Sequence, residues 1–350
     1  LIISVVGARP QFIKAAVVSR GFSAAGIEEW IVHTGQHYDD AMSGRFLREL
    51  GINNVFANLA CGSGSHAKQT AQMLIGLEEI MLEHARRIKA VLVYGDTNSS
   101  VAAALAAAKL TIPIVHVEAG LRSFNRSMPE EVNRVVVDHL SDLLFCSSGQ
   151  GVEQLAREGV AKRVIDVGDV MLDAFETFMP VAQQSVRPHF PGSSPFAIVT
   201  IHRPSNTDDR ERLARIVKAL GELRFPCVWP VHPRLDERMK QNDLPANVRC
   251  VAPLSYFEML AALEACSCVI TDSGGLQKES YWAKKPCVTA RSETEWVETL
   301  EGGWNQLWDP LSEPLQSVLD RQPTTAWRPL YGDGKASVRI ADGMREHLLS

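Results

Sequence analysis

No Cys-x-x-Cys pair occurs among the seven cysteines, Cys61, Cys146, Cys227, Cys250, Cys266, Cys268 and Cys287, and none has a histidine at zinc spacing. An odd, scattered set of this kind excludes a disulfide framework and a zinc ribbon. It reads as reduced core thiols of a cytoplasmic protein. No apolar run reaches the roughly 18 residues needed to cross a bilayer, so no membrane partner is expected. The first residues read as a core strand rather than a signal peptide, and because the chain opens at Leu1 instead of methionine, a few upstream residues are expected. Basic charge is not in excess, since 36 Lys and Arg stand against 41 Asp and Glu for a net charge of -5. That balance speaks against a nucleic-acid or anionic-surface partner, and a negatively charged ligand would have to be met by local groups. The fingerprints Gly-x-Gly-x-x-Gly after the first apolar run, Gly-x-x-x-x-Gly-Lys-Ser/Thr and Gly-x-Ser-x-Gly are all missing, which removes the usual support for dinucleotide, P-loop and nucleophile-elbow chemistry. There is no internal repeat and no low-complexity tract.

What is present is an α/β rhythm. Apolar runs at 1–6, 90–94 and 114–117 are followed or separated by amphipathic stretches near 10–25 and 98–110, and the pattern restarts at 196–201, 227–231, 269–271 and 287–289. Short Val/Ile/Leu runs alternating with helical periods predict buried parallel strands in two doubly wound halves. At 350 residues with 45% apolar content, the chain can bury two cores. The stretch 181–195, with four prolines counted from Pro180, a glycine and several serines, has no usable period and marks a boundary between the halves.

In open α/β sheets, ligands bind beyond the carboxyl ends of the strands, and polar residues are dense there. The run 268–280 passes from an apolar strand into Asp272-Ser273-Gly274-Gly275 and then into a helical pattern. Backbone N–H groups of Ser273, Gly274 and Gly275 at a helix N-terminus suit a diphosphate, although the same sequence is equally an ordinary strand-to-helix turn. Glu279 falls more than a turn further on, where a carboxylate could accept from ribose hydroxyls. After the first strand, Gly7-Ala8-Arg9-Pro10 opens a helix and sets Arg9 and Lys14 toward the crevice. Asp96 follows the strand at 90–94, Glu118 follows the strand at 114–117, and Glu130, Glu131 and Arg134 stand at a loop-to-helix junction. Helix capping would explain the last two acids alone, but three acidic sites on one rim fit general acid and base chemistry better. His202 and His232 each follow a strand with a basic residue close by, which suits an anion. His33, His37, His66 and His116 form no metal set, and neither metal nor cofactor is expected.

Seven stretches taken in order resemble the non-hydrolysing UDP-N-acetylglucosamine 2-epimerases. They are Gly-Ala-Arg-Pro-Gln-Phe-Ile-Lys (7–14), Thr-Gly-Gln-His (34–37), Gly-Asp-Thr (95–97), His-Val-Glu-Ala-Gly-Leu-Arg (116–122), Pro-Glu-Glu-Val-Asn-Arg (129–134), Thr-Ile-His-Arg (200–203) and Thr-Asp-Ser-Gly-Gly-Leu-Gln-Lys-Glu (271–279). The resemblance implies two Rossmann-like domains of the glycosyltransferase B type, at 1–170 and 171–330, with a UDP-sugar in the cleft between them. It also implies a helix at 331–350 returning to the first domain, and a homodimer. Gly-Ser-Gly-Ser-His (62–66), Arg-Ser-Phe-Asn-Arg (122–126), Pro-Val-His-Pro-Arg (230–234) and Thr-Glu-Trp-Val-Glu-Thr (294–299) lean toward the branch acting on UDP-2,3-diacetamido-2,3-dideoxy-glucuronate, used in bacterial surface polysaccharides. Two departures from the simple GlcNAc enzymes agree with that branch, Trp296-Val297 in place of Arg-Pro and Met259 in place of an aromatic near the uracil. Gln36 and His37 resemble part of an allosteric site, but Tyr38-Asp39 departs from it, and no regulation is inferred.

The family's chemistry implies anti elimination of UDP to a glycal, followed by re-addition with a proton delivered to the opposite face of carbon 2. The resemblance then assigns Asp96, Glu118 and Glu130 to proton removal and delivery. Arg9, Lys14, His202, Ser273, Gly274 and Gly275 would stabilise the diphosphate, with His202 counted in the catalytic set. Arg134, His232, Met259 and Glu279 would complete the UDP-sugar contacts. A glycosyltransferase of the same fold, a catalytically inert sugar-nucleotide sensor and a hydrolysing epimerase remain the competing readings.

Overall fold

A strand covered on both faces needs an unbroken apolar run, and β1 (Ile2–Val6) supplies one in which every residue is buried. The computed structural model describes residues 1–35, 46–160, 163–185, 190, 195–231 and 244–349. These divide into two compact units, Leu1–Ala174 with Tyr331–Ser350, and Phe175–Leu330.

The first unit holds β1, β2 (Glu29–His33), β3 (Val55–Asn58), β4 (Ala90–Tyr94), β5 (Ile114–Ala119), β6 (Leu143–Cys146) and β7 (Arg163–Asp166). They hydrogen-bond in the order β3-β2-β1-β4-β5-β6-β7, with every pairing parallel. The second unit holds β8 (Ala197–Thr200), β9 (Cys227–Pro230), β10 (Val248–Val251), β11 (Cys268–Thr271), β12 (Cys287–Thr289) and β13 (Asn305–Leu307). Their order, β10-β9-β8-β11-β12-β13, repeats the same winding, again wholly parallel. Each sheet therefore reverses direction once, between β1 and β4 in the first unit and between β8 and β11 in the second. Those reversals open the crevices in which doubly wound sheets bind ligands.

Of the stretch 181–195, read as an unpatterned boundary, residues 181–185 close a helix. Helix Val170–Ser185 runs on through Pro180, and the change of unit falls inside it, between Ala174 and Phe175. The reason is an apolar stripe at helical spacing, Ala174, Phe178 and Ala182, all buried. Phe178 packs edge-on to Tyr256 and Phe257, at 6.1 and 5.5 Å between ring centroids. Burying such a stripe outweighs the roughly 3 kcal/mol that an internal proline costs a helix.

Helix Ala336–Met344 belongs to the first unit and lies on helix Arg9–Ala25. Its N-terminus is capped from outside, because the Asp173 carboxylate accepts from Ala336 N at 3.0 Å, Ser337 N at 2.7 Å and Ser337 Oγ at 2.7 Å. The two helices meet at Gly21, where an added Cβ would lie 2.7 Å from the Ser337 carbonyl oxygen. In an exposed helix Gly→Ala stabilises by about 1 kcal/mol, but here overpacking of about 1–3 kcal/mol opposes it. Gly21→Ala is therefore expected to lower the urea midpoint of the first unit, and an unchanged or raised midpoint would show that the helices part without cost.

Candidate active site

The carboxyl end of β1 is tied to that of β4 by one side chain. Gln11 Oε1 accepts from Gly7 N at 2.8 Å and Ala8 N at 3.1 Å, while its Nε2 donates to Tyr94 O, Thr97 Oγ1 and Ser100 Oγ at 2.7, 2.9 and 3.1 Å. Lys14, one turn past Gln11 on helix Arg9–Ala25, pairs with Glu118. Both side chains of this pair are largely buried. Glu118 occupies the left-handed region at φ 73°, where the register of β5 against β6 shifts between Val117 and Ala119. A bulge re-aims the side chain it carries, which is how a residue inside a strand comes to face Lys14. Gly95, at φ 59°, gives Glu118 room, since a Cβ there would sit 3.1 Å from Glu118 Oε2.

Asp96 pairs with Arg134 of helix Pro129–Leu140, and Asn133 of the same helix donates to the Asp96 carbonyl at 2.9 Å. Burial pulls Lys14 down, but Glu118 foremost, with Asp169 and Asp96, outweighs it and holds the ammonium above the ordinary lysine value. Burial pushes the Asp96 carboxyl up, and the Glu118 charge adds to it, against the opposing pull of Arg134 and Lys14. A raised carboxyl is what proton transfer near neutral pH requires.

A second buried network holds the two acid-bearing turns. His116 lies with Nδ1 2.7 Å from Asp138 Oδ1 and Nε2 3.0 Å from the Gly95 carbonyl oxygen. Gly120 N donates to Asp138 at 3.2 Å, and Arg122 bridges Asp138 at 2.7 Å and Glu158 at 2.6 Å. Burial would raise Asp138, but His116 and then Arg122 overcome it and hold the carboxyl below the ordinary aspartate value.

The remaining residues expected at this rim fall in different places. Arg9 is exposed, with its guanidinium 4.9 Å from the Phe46 ring centroid. Glu130 is exposed in the first turn of helix Pro129–Leu140, whereas its neighbour Glu131 is buried and reaches Arg134 at 3.3 Å. Gln36, His37 and His232 lie outside the described residues.

In the second unit, Asp272 follows β11 and is fully buried. Its carboxylate accepts from His202 N at 3.0 Å, Arg203 N at 2.9 Å and Asn206 Nδ2 at 2.9 Å, which locks the turn after β8 to the turn after β11. His202 is half exposed, with Nδ1 3.2 Å from Asp272 Oδ1. Ser273 is the N-cap of helix Gly274–Trp282 and makes no side-chain cap bond, so the first N–H groups of this helix are not met by it. Such groups with the helix dipole behind them suit an anion. Around Gly275 a Cβ would meet nothing within 4 Å, while at Gly274 it would lie 2.7 Å from Glu295 Oε1, whose other oxygen, Oε2, pairs with Arg291 at 2.8 Å. Glu279 is buried in the same helix, and Met259 is half-buried on helix Tyr256–Ala265. Among the described residues no group of His, Cys, Asp and Glu could hold a metal ion.

Gln11, His116 with Asp138, Glu131 and Asp272 were not singled out as site residues from the sequence. His116 stands two residues before Glu118 on β5, and Asp138 lies two turns beyond Glu131. That spacing was the one available signal.

Two doubly wound sheets, each with polar groups gathered at its reversal point, define a two-unit Rossmann-like protein of the glycosyltransferase B fold. The glycosyltransferase SnogD of Streptomyces nogalater shares the fold at 15% identity and a TM-score of 0.56, over 99% of this chain and 94% of that one. The description of the UDP-N-acetylglucosamine 2-epimerase family matches residues 22–345, and the chain belongs to that family. It is 43% identical, over 97% of its length and 98% of the relative's, to the UDP-2,3-diacetamido-2,3-dideoxy-D-glucuronate 2-epimerase of Pseudomonas aeruginosa. It is 42% identical to a UDP-N-acetylglucosamine 2-epimerase homolog of Methanococcus maripaludis, over 98% of this chain and 99% of the relative. The UDP-GlcNAc 2-epimerase of Methanocaldococcus jannaschii, solved with UDP-GlcNAc and UDP, aligns at a TM-score of 0.88 and 35% identity, covering 99% of this chain and 100% of that one.

Asp138 gives a pH test of the network beneath the acids. Asp138→Asn leaves His116 and Arg122 without their shared carboxylate and should cost about 3–5 kcal/mol at neutral pH. A carboxyl held low in the fold contributes fully above its unfolded value of about 3.9 and loses that contribution as the pH falls toward its folded value. Urea midpoints of wild type and variant should accordingly converge below about pH 4. A gap that stayed constant on acidification would show that Asp138 carries no such charge.

Proposed function

We propose that the chain epimerises carbon 2 of a UDP-2-acetamido sugar, with UDP-2,3-diacetamido-2,3-dideoxy-glucuronate and its manno epimer as the pair interconverted. The observation that carries this reading is the pairing of two carboxylates, Asp96 and Glu118, with Lys14 and Arg134 at one sheet's reversal point. The Pseudomonas relative and the Trp296-Val297 sequence support the diacetamido-uronate. A second reading, the UDP-GlcNAc/UDP-ManNAc pair, draws on the archaeal relative at 42% identity, so close that identity alone does not separate the two.

The hydrogen on carbon 2 has no neighbouring carbonyl to acidify it, so simple abstraction and return is unfavourable. Elimination avoids that carbanion. A carboxylate takes the carbon 2 proton as the bond from carbon 1 to the phosphate oxygen breaks; a carbon 1–carbon 2 double bond forms, and the bond pair leaves on UDP. Re-addition of UDP to the glycal, with a proton supplied from the other face, gives the epimer. Asp96, Glu118 and Glu130 serve as the proton-handling acids. His202, Arg9, Lys14, Ser273, Gly274 and Gly275 meet the diphosphate, whose charge grows as the anomeric bond breaks. Arg134 and His232 add cationic contacts, Glu279 holds the ribose and Met259 lies by the uracil. The family resemblance further implies a homodimer, which sedimentation at micromolar concentration would check.

Asp96→Asn and Glu118→Gln are each expected to lower kcat on the order of 10²–10⁴-fold with UDP binding retained. Wild-type turnover by both variants would remove these acids from the chemistry. NMR of each UDP-sugar incubated separately in heavy water tests substrate and reaction together, the expected outcome being an epimer carrying deuterium at carbon 2. Turnover only with an added acceptor would identify a transferase instead, accumulation of UDP with unlinked sugar a hydrolysing epimerase, and no exchange at all a sensor.

A further inference from the structure

Glu130 and Glu131 are adjacent in sequence but differ in environment, one exposed and the other with only 3% of its side chain accessible. The buried carboxylate has four partners. Glu131 Oε2 accepts from Ser123 N at 2.8 Å and Ser123 Oγ at 2.9 Å, Oε1 accepts from Phe124 N at 3.0 Å, and Arg134 Nη1 lies 3.3 Å from Oε2. Arg134 is one helical turn further along the same face, and its other terminal nitrogen, Nη2, pairs with Asp96. Its Nε is buried and has no hydrogen-bond partner among the described residues. The guanidinium is thus oriented by two carboxylates, Asp96 on one side and Glu131 on the other. The turn that Glu131 grips contains Phe124 at φ 58°, a left-handed conformation that a bulky side chain adopts only when held there. One carboxylate accordingly fixes both the strained turn after β5 and the arginine that faces Asp96.

We propose that Glu131 is a positioning residue for the epimerisation, holding the Arg134 guanidinium in register with Asp96 and the turn at 123–124 beside it. This rests on the assignment of Asp96 to proton transfer made above. Asp96 is faced by Arg134 from helix Pro129–Leu140, by Glu118 from β5 and by Lys14 from helix Arg9–Ala25. The negative charge of Glu131 opposes that of Arg134 at Asp96. Removing it leaves the net potential at Asp96 more positive, which makes that carboxylate a weaker base.

Glu131→Gln is expected to lower kcat about 10²-fold, the scale of a small misplacement of reacting groups, with UDP still bound at one per folded site and the acid limb of the kcat profile moved to lower pH. Glu131→Asp keeps the charge on a shorter stem and should return the acid limb to its wild-type position while part of the rate loss persists. UDP titration counts the folded sites in each preparation, so rates are compared per competent site. Wild-type kcat with an unmoved acid limb in Glu131→Gln would overturn the inference, as would a loss of rate that disappears once normalised to competent sites. If Glu131→Gln behaves as wild type while Asp96→Asn is inactive, only the positioning role falls. If Asp96→Asn itself keeps full kcat, the assignment beneath it falls as well.

Discussion

Setting the largely buried Glu118 and the half-buried Asp96 at the end of one sheet is tolerable only because Lys14 and Arg134 stand beside them. An unpaired ion inside a protein costs several kcal/mol, and removing one member of a buried pair leaves that cost uncompensated. The first unit meets the constraint with two cations from two different helices, one entering after β1 and one after β5. Beneath them a second set of charges, His116, Asp138, Arg122 and Glu158, fixes the turns at Gly95 and Gly120. The acids can therefore face a ligand without the backbone that carries them relaxing. The bulge at Glu118 belongs to the same design, since its positive φ is held from both sides by the Lys14 pair and the neighbouring strand.

The second unit solves a different problem with the same winding. Its reversal point carries one buried carboxylate, Asp272, which is spent on three N–H donors and the His202 ring of the adjoining turn. That leaves the start of helix Gly274–Trp282 to an anion. The proposed reaction, in which a proton leaves carbon 2 while a nucleoside diphosphate departs from carbon 1, would call on both kinds of group.

Much of the fold was legible as alternating apolar runs. The strands at 90–94 and 287–289 were read at the bounds they have, and the helix at 98–110 ends one residue earlier, at Lys109. Residues 181–185 close helix Val170–Ser185, which its sequence did not announce because the contacts that Phe178 makes, with Tyr256 and Phe257, are distant in sequence. At the site, Asp96, Glu118, Lys14 and Arg134 could be nominated because each stands near the carboxyl end of a strand or in the first two turns of a helix. Their pairing could not. The contrast between Glu130 and Glu131 is a rotation of about 100° about a helix axis, which no local pattern specifies when both positions are acidic.

By itself the amino-acid order marked seven of the thirteen strands of the described residues, β1, β4, β5, β8, β9, β11 and β12, as parallel and covered on both faces, and showed which turns carry ionisable groups, because apolar runs and turn residues are properties of short segments. Tertiary structure alone decided that Lys14 meets Glu118 across 104 residues, that Arg134 meets Asp96 and that Asp138 sits under both. Those contacts depend on the order in which strands pair and on the rotation of each helix. Both are settled by packing two layers of helices onto a twisted sheet.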